Sequence, residues 1–271
     1  MKINMFALLT SLVCLAACGG SSGGGNTAPT PTVQGITVSS SSDLIFIGAS
    51  ETFTATASMS NGGSQPISSG ASWGSDATGV ATADSSGKVT GVGSGMATIF
   101  VDYQGRRGTK LIRGLPNYQG AWSGSYAITN CSQTGDFSRI NFCSSFGVNR
   151  VLPTNLTLTQ DRDRVQGRFF LGTLGGDATG PVQGNGQLLL TGAVQDPAAT
   201  IETSWSMTSL TSGRIGGTLS FLWRSPGLTG DARVNADIRD LNRTSGIARS
   251  IAGSLPSGHT VTDLLSALAA R

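Results

Sequence analysis

"ASWGSDATGVATADSSGKVTGVGSGMATIFVDY" spans Ala71–Tyr103, and its reading decides the fold of the first half of the chain. Short segments rich in Val, Ile, Thr and aromatic residues alternate with glycine, aspartate and serine. That pattern predicts strands over 70–75, 79–83, 87–91 and 95–103. Asp84-Ser85-Ser86-Gly87 is a turn, with a glycine where the backbone needs positive φ. Working outward, further strands are predicted at 34–39, 43–47, 51–59 and 106–112. Thr52-Phe53-Thr54-Ala55-Thr56-Ala57 alternates strictly, and Asn61-Gly62-Gly63 supplies another turn. Short strands at this spacing suggest a β-sandwich.

The same stretch resembles the group 2 bacterial Ig-like domain. That family's pattern is a Trp, then Val-Ala, a turn ending in Gly, Val-Thr-Gly, and Gly-x-Ala-Thr-Ile. Here these are Trp73, Val80-Ala81, Gly87, Val89-Thr90-Gly91 and Gly95-Met96-Ala97-Thr98-Ile99. The resemblance implies an Ig-like sandwich over 33–114, with Trp73 as the large filler between sheets and Val89 and Ile99 facing inward. It also implies a spacer or binding module of surface proteins, without catalysis.

The second half, 116–244, is also all strand. Strands are predicted at 121–129, 153–160, 164–171, 178–183, 186–192, 200–209, 213–223 and 227–240. Ile201, Trp205 and Met207 share one face, and Glu202, Ser204, Ser206 and Thr208 the other. Ile215, Leu219, Phe221 and Trp223 share a face, as do Leu228, Ala232, Val234, Ala236 and Ile238. Period two with one apolar face marks half-buried antiparallel strands. Eight of them joined by short turns favour closure into an up-and-down β-barrel, because closure removes the sheet edges. Gly120-Ala121-Trp122 resembles the Gly-x-Trp of the first strand of lipocalins and related calycin barrels. By that resemblance an arginine should pack across Trp122; Arg233 and Arg239 are the candidates, although their alternation points them outward. The candidate lumen contacts are Trp122, Tyr126, Phe169, Trp205, Phe221 and Trp223. These aromatics can fill the lumen themselves, whereas Gly124, Gly167 and Gly217 would leave room for a small apolar ligand.

The N-terminus carries an address. Lys2 precedes the apolar run Met5–Ala17, which is too short to span a bilayer, where ~20 residues are needed. A charged start, a short apolar core and small residues at its end read as a secretory signal over 1–17. Leu15-Ala16-Ala17-Cys18 resembles the lipobox of bacterial lipoproteins, which implies cleavage before Cys18 and lipidation there. Residues 18–32 then hold the lipidated Cys18 and a Gly/Ser/Thr/Pro spacer that cannot bury enough apolar surface to fold. The resemblance implies a protein held on the bacterial envelope, and Gly19 rather than an aspartate after Cys18 favours the outer membrane by the enterobacterial sorting pattern.

Composition narrows the chemistry. The net charge is +3 and charged residues make up 12 % of the chain. That argues against a nucleic-acid partner, which calls for a dense basic patch. Cys131 and Cys143 remain as a pair in a secreted chain and read as a disulfide, worth ~3 kcal/mol by loop-closure entropy. Two free buried thiols are the alternative, but the polar stretch Asn130–Gln133 does not look like a core. The one histidine, His259, lies in the tail 245–271, where Thr260–Leu268 suggests a short helix. No spacing suggests a metal site or a catalytic triad, and no cofactor is expected. Asp161 and Asp163, interleaved with Arg162 and Arg164, read as a solvated hairpin turn. Gly20-Ser21-Ser22-Gly23-Gly24 fits a nucleophile-elbow pattern, but inside the spacer.

The expected function is a non-enzymatic, membrane-anchored surface binding or adhesion module, with the Ig-like domain as spacer. Its partner would be a surface protein or a glycan. A carrier of a small apolar ligand and a barrel-type protease inhibitor are the alternatives. Each half carries its own aromatics, Phe53 and Trp73 against Trp122, Trp205 and Trp223, so separate folding of the halves is expected.

Overall fold

The computed structural model describes residues 29–172, 174–196, 199–209 and 213–244. The expected signal segment 1–17, Cys18, most of the expected spacer and the tail from 245 lie outside the described residues.

The first domain is a sandwich of three small sheets. One holds β1 (Val33–Ser39), β4 (Thr54–Met59) and β5 (Ser64–Pro66). The second has the order β2 (Leu44–Phe46), β10 (Arg106–Leu115), β9 (Gly95–Tyr103) and β6 (Ser72–Ser75), with β2 parallel to β10. The third holds β3 (Ser50–Thr52), β8 (Lys88–Gly91) and β7 (Ala81–Ala83). The expected strand 51–59 is split at Phe53, where the chain changes sheets. β3 pairs with β8 and β4 pairs with β1, while the Phe53 N–H donates to Gly87 O. Val89, Ile99 and Val101 are fully buried in the core with Phe53, Ile45 and Ile112. Trp73 departs from its expected place, because it packs on the margin of this core, half-buried. Its ring fits over Gly87, where φ is +81° and an added Cβ would come within 3.0 Å of the indole.

The second domain is a closed antiparallel barrel. Its strands are β11 (Gly120–Gln133), β12 (Val151–Asp161), β13 (Arg164–Leu171), β14 (Leu174–Pro181), β15 (Leu188–Asp196), β16 (Ala199–Ser209), β17 (Arg214–Arg224) and β18 (Ala232–Thr244). Each strand pairs with its sequence neighbour, and β18 closes onto β11. Register shifts between Ser123 and Ser125, Ile128 and Asn130, and Ile215 and Gly217 bend the strands around the closure. Leu228, expected on the last strand, lies in the turn before it and packs against the barrel core.

The two domains meet at a built junction. β10 runs on to Leu115, which belongs to the barrel core and is fully buried, as is Tyr118. Leu44 and Phe46 of β2 pack against that same core. The β12–β13 turn does more than face solvent. Arg162 there, at φ +56°, pairs with Asp43 at 2.6 Å, and Asp163 pairs with Arg113 at 3.0 Å. Arg113 also donates to Val182 O. The start of β1 lies beside Arg106, whose Nε donates to Val33 O, at the opposite end of β10 from Leu115. The described chain therefore begins β1 at the sandwich end away from the barrel.

Candidate functional site

All six aromatics expected in the lumen are there, and all are buried. Their rings touch one another and the segments that close the ends. Tyr126 meets Phe221 edge-on with centroids 5.7 Å apart, and Phe169 lies 5.5 Å from Trp205. The Trp205 indole N–H donates to Thr203 Oγ1, one of two buried threonines. The other, Thr154, donates to Phe170 O. Burial pushes the Tyr126 hydroxyl up to about 12, so it stays neutral through the physiological range.

The glycines do not provide the room expected of them. A Cβ on Gly167 would sit 1.9 Å from Thr157 O, on Gly217 2.0 Å from Ser206 O, and on Gly124 2.6 Å from Asp240 O. The neighbouring strand's backbone fills those positions. These glycines are corners at which the sheet coils tightly.

The end distal to the sandwich is plugged by the β11–β12 connection. A short helix, α1 (Asp136–Arg139), and a 3-10 turn (Phe142–Ser145) place Phe137 and Phe142 over the mouth, both buried. Phe142 and Phe146 lie 5.2 and 5.8 Å from the Trp223 ring. Among the described residues, Trp223 Nε1 is a buried polar atom with no hydrogen-bond partner. Cys131 and Cys143 are disulfide-bonded as expected, which ties the plug to β11. The Asp136 carboxylate accepts from Thr229 N at 2.8 Å and Thr229 Oγ1 at 2.7 Å, which fastens the plug to the β17–β18 turn. The Thr229 backbone N–H, and then its hydroxyl, hold the Asp136 carboxyl below its ordinary value.

The proximal end is closed by the interdomain segment. Tyr118 Oη donates to Gly186 O at 2.6 Å and accepts from Ser209 N at 3.0 Å. Its N–H donates to Gln160 Oε1, and its carbonyl accepts the Trp122 indole N–H at 2.8 Å. Arg243 covers Trp122, with its guanidinium carbon 4.7 Å from the ring, and donates to Asn117 O. Arg243, and not Arg233 or Arg239, is thus the arginine that packs across this tryptophan. Asp240, at φ +50°, shifts the phase of β18, and the ladder sets Arg243 opposite Trp122. Alternation read only as far as 240 could not reveal this. Tyr118 also went unrecognised, because nothing in a Leu-Pro-Asn-Tyr linker distinguishes a surface tyrosine from a plug.

No group of three metal-capable side chains occurs among the described residues, and none of their helices is long and apolar enough to cross a membrane.

Residues 32–107 match the bacterial Ig-like domain (group 2). The match stops within β10, so the segment of that strand that enters the barrel core lies beyond it. No curated protein matches the chain. Among solved structures, a REP1-NXSQ fatty acid transporter is similar at 10% identity and a TM-score of 0.19, over 48% of this chain and 97% of its own. Domains 5-6 of the S-layer protein SbsC are similar at 14% identity and a TM-score of 0.28, over 80% of this chain and all of theirs.

Proposed function

We propose that this chain is a non-catalytic binding module of the bacterial cell envelope, lipid-anchored at Cys18 and placed at the outer membrane. The bacterial Ig-like domain lifts the barrel away from the membrane, and the barrel is a solid scaffold whose outer surface meets the partner. One observation carries this reading. The lumen is a continuous packed core from Leu115 and Tyr118 at one end to Phe137 and Phe142 at the other. A barrel filled and closed in this way has no ready compartment for a carried ligand. Leu15–Cys18 and the spacer behind it support the anchor. The spacer joins the sandwich at the end remote from the barrel, so the plugged mouth is held outermost.

The test has two arms on the full chain. Cys18→Ala should move the protein from the membrane to the soluble fraction; unchanged membrane association would remove the anchor. Titration with a dansylated fatty acid should show no saturable one-to-one uptake. Such uptake would favour the carrier.

A further inference from the structure

We propose that the outer barrel face across β15–β18 binds a linear, uncharged β-1,4-linked glycan laid perpendicular to the strands. The proposal rests on the reading of the chain as a binding module and names its ligand class. A groove of about 520 Å³ crosses this face. That volume lies within the ~300–1,000 Å³ of ligand clefts.

The strand register builds the groove floor as two rows of short polar side chains. Ser204 stands opposite Ser220, and Ser220 opposite Asn235. In the second row Ser206 stands opposite Thr218, and Thr218 opposite Asp237. Neighbouring strands are ~4.8 Å apart, and residues two apart along a strand are separated by ~6.8 Å. An extended β-1,4-linked glycan advances by about one strand spacing per sugar and carries hydroxyls along both edges. Laid across the strands, successive sugars meet successive pairs from the two rows.

The polar chemistry agrees with the spacing. Among the described residues, the side chains of Ser204, Thr218, Ser220, Asn235 and Asp237 make no hydrogen bond or ion pair within the protein. Elsewhere on the barrel exterior, long charged side chains pair with each other, as in Arg168–Asp177, Arg214–Asp240 and Arg224–Glu202. The groove instead offers hydroxyls, an amide that can both donate and accept, and a carboxylate able to accept from adjacent hydroxyls of a bound sugar. No arginine or lysine lines it, which disfavours an anionic polymer. Leu189, opposite Ser206, supplies aliphatic surface for the C–H face of a sugar.

Isothermal titration of the full chain with cellohexaose tests this, with a β-1,3-linked glucan hexaose and polygalacturonate as the other arms. Saturable binding of cellohexaose is expected. It should weaken at least tenfold in Ser204→Ile, which fills the floor, and in Asp237→Ala, with the thermal midpoints unchanged as the control for folding. No saturable cellohexaose binding, equal binding by both variants, or tighter binding of either other arm would overturn the proposal. Any of those results leaves the filled-barrel reading in place, because that reading is tested by fatty-acid uptake.

Discussion

Tyr118 plugs the barrel end that faces the sandwich, held there by Gln160, Gly186, Ser209 and Trp122. It is fully buried, and its hydroxyl bridges Gly186 O on the β14–β15 turn and Ser209 N at the end of β16. Tyr118→Phe keeps the ring and removes both bonds, leaving a carbonyl and an N–H without their partner. Such a loss costs ~1–3 kcal/mol. For a protein of this size that lowers the thermal midpoint by roughly 2–12 °C, at ~2–4 °C per kcal/mol. Tyr118→Ala adds a cavity and should cost ~3–5 kcal/mol. The two substitutions should also differ in kind. Tyr118→Phe should leave one cooperative transition. Tyr118→Ala opens the proximal end and should separate barrel melting from sandwich melting. Scanning calorimetry, with tryptophan fluorescence in a Trp73→Phe background to report the barrel, reads both effects. If Tyr118→Phe melts with the parent and Tyr118→Ala lowers the midpoint by no more than an exposed substitution would, Tyr118 is not a plug. The same structure bears on cutting the chain. A barrel that begins at 116 lacks Leu115 and the cover of Leu44 and Phe46, so it should be less stable alone than when joined to the sandwich.

Further outcomes follow from the plug and the barrel corners. Cys143→Ser should destabilise the barrel by ~3 kcal/mol and speed proteolysis within 134–150, read by denaturant melts and peptide mapping. Asp136 has a folded pKa below its ordinary value of 3.8, so its contribution is present above that value and lost as pH falls through the lower, folded one. The protection factor of the Thr229 amide, taken relative to its intrinsic exchange rate at each pH, should therefore fall in acid, and Asp136→Asn should remove that pH dependence. Gly167→Ala drives a Cβ into Thr157 O and should prevent or severely weaken folding, judged by circular dichroism.

The alternation of short strands disclosed both domains, and closure could be argued from eight antiparallel strands with a single apolar face. The lumen aromatics were legible for the same reason, since period two assigns every second residue to one side. What stayed hidden depends on events that break the period. Phe53 changes sheets inside an apparently continuous strand. Asp240 takes positive φ, so the arginine over Trp122 falls outside the alternating set. Gly124, Gly167 and Gly217 read as open space because a sequence gives a missing side chain without the neighbouring carbonyl that occupies its place. Asp161–Arg164 looked like a solvated turn because Asp43 and Arg113, its partners, are remote in sequence. The groove across β15–β18 is likewise a property of register, since its rows form only when four strands are aligned.

The most direct test of the central claim is native mass spectrometry of the protein extracted from its own membranes. The expected result is a mature chain beginning at Cys18, with lipid on that residue, the Cys131–Cys143 bond intact and no apolar molecule held in the barrel. A stoichiometric apolar ligand that survives extraction and is released only on unfolding would contradict it, and would make the barrel a container.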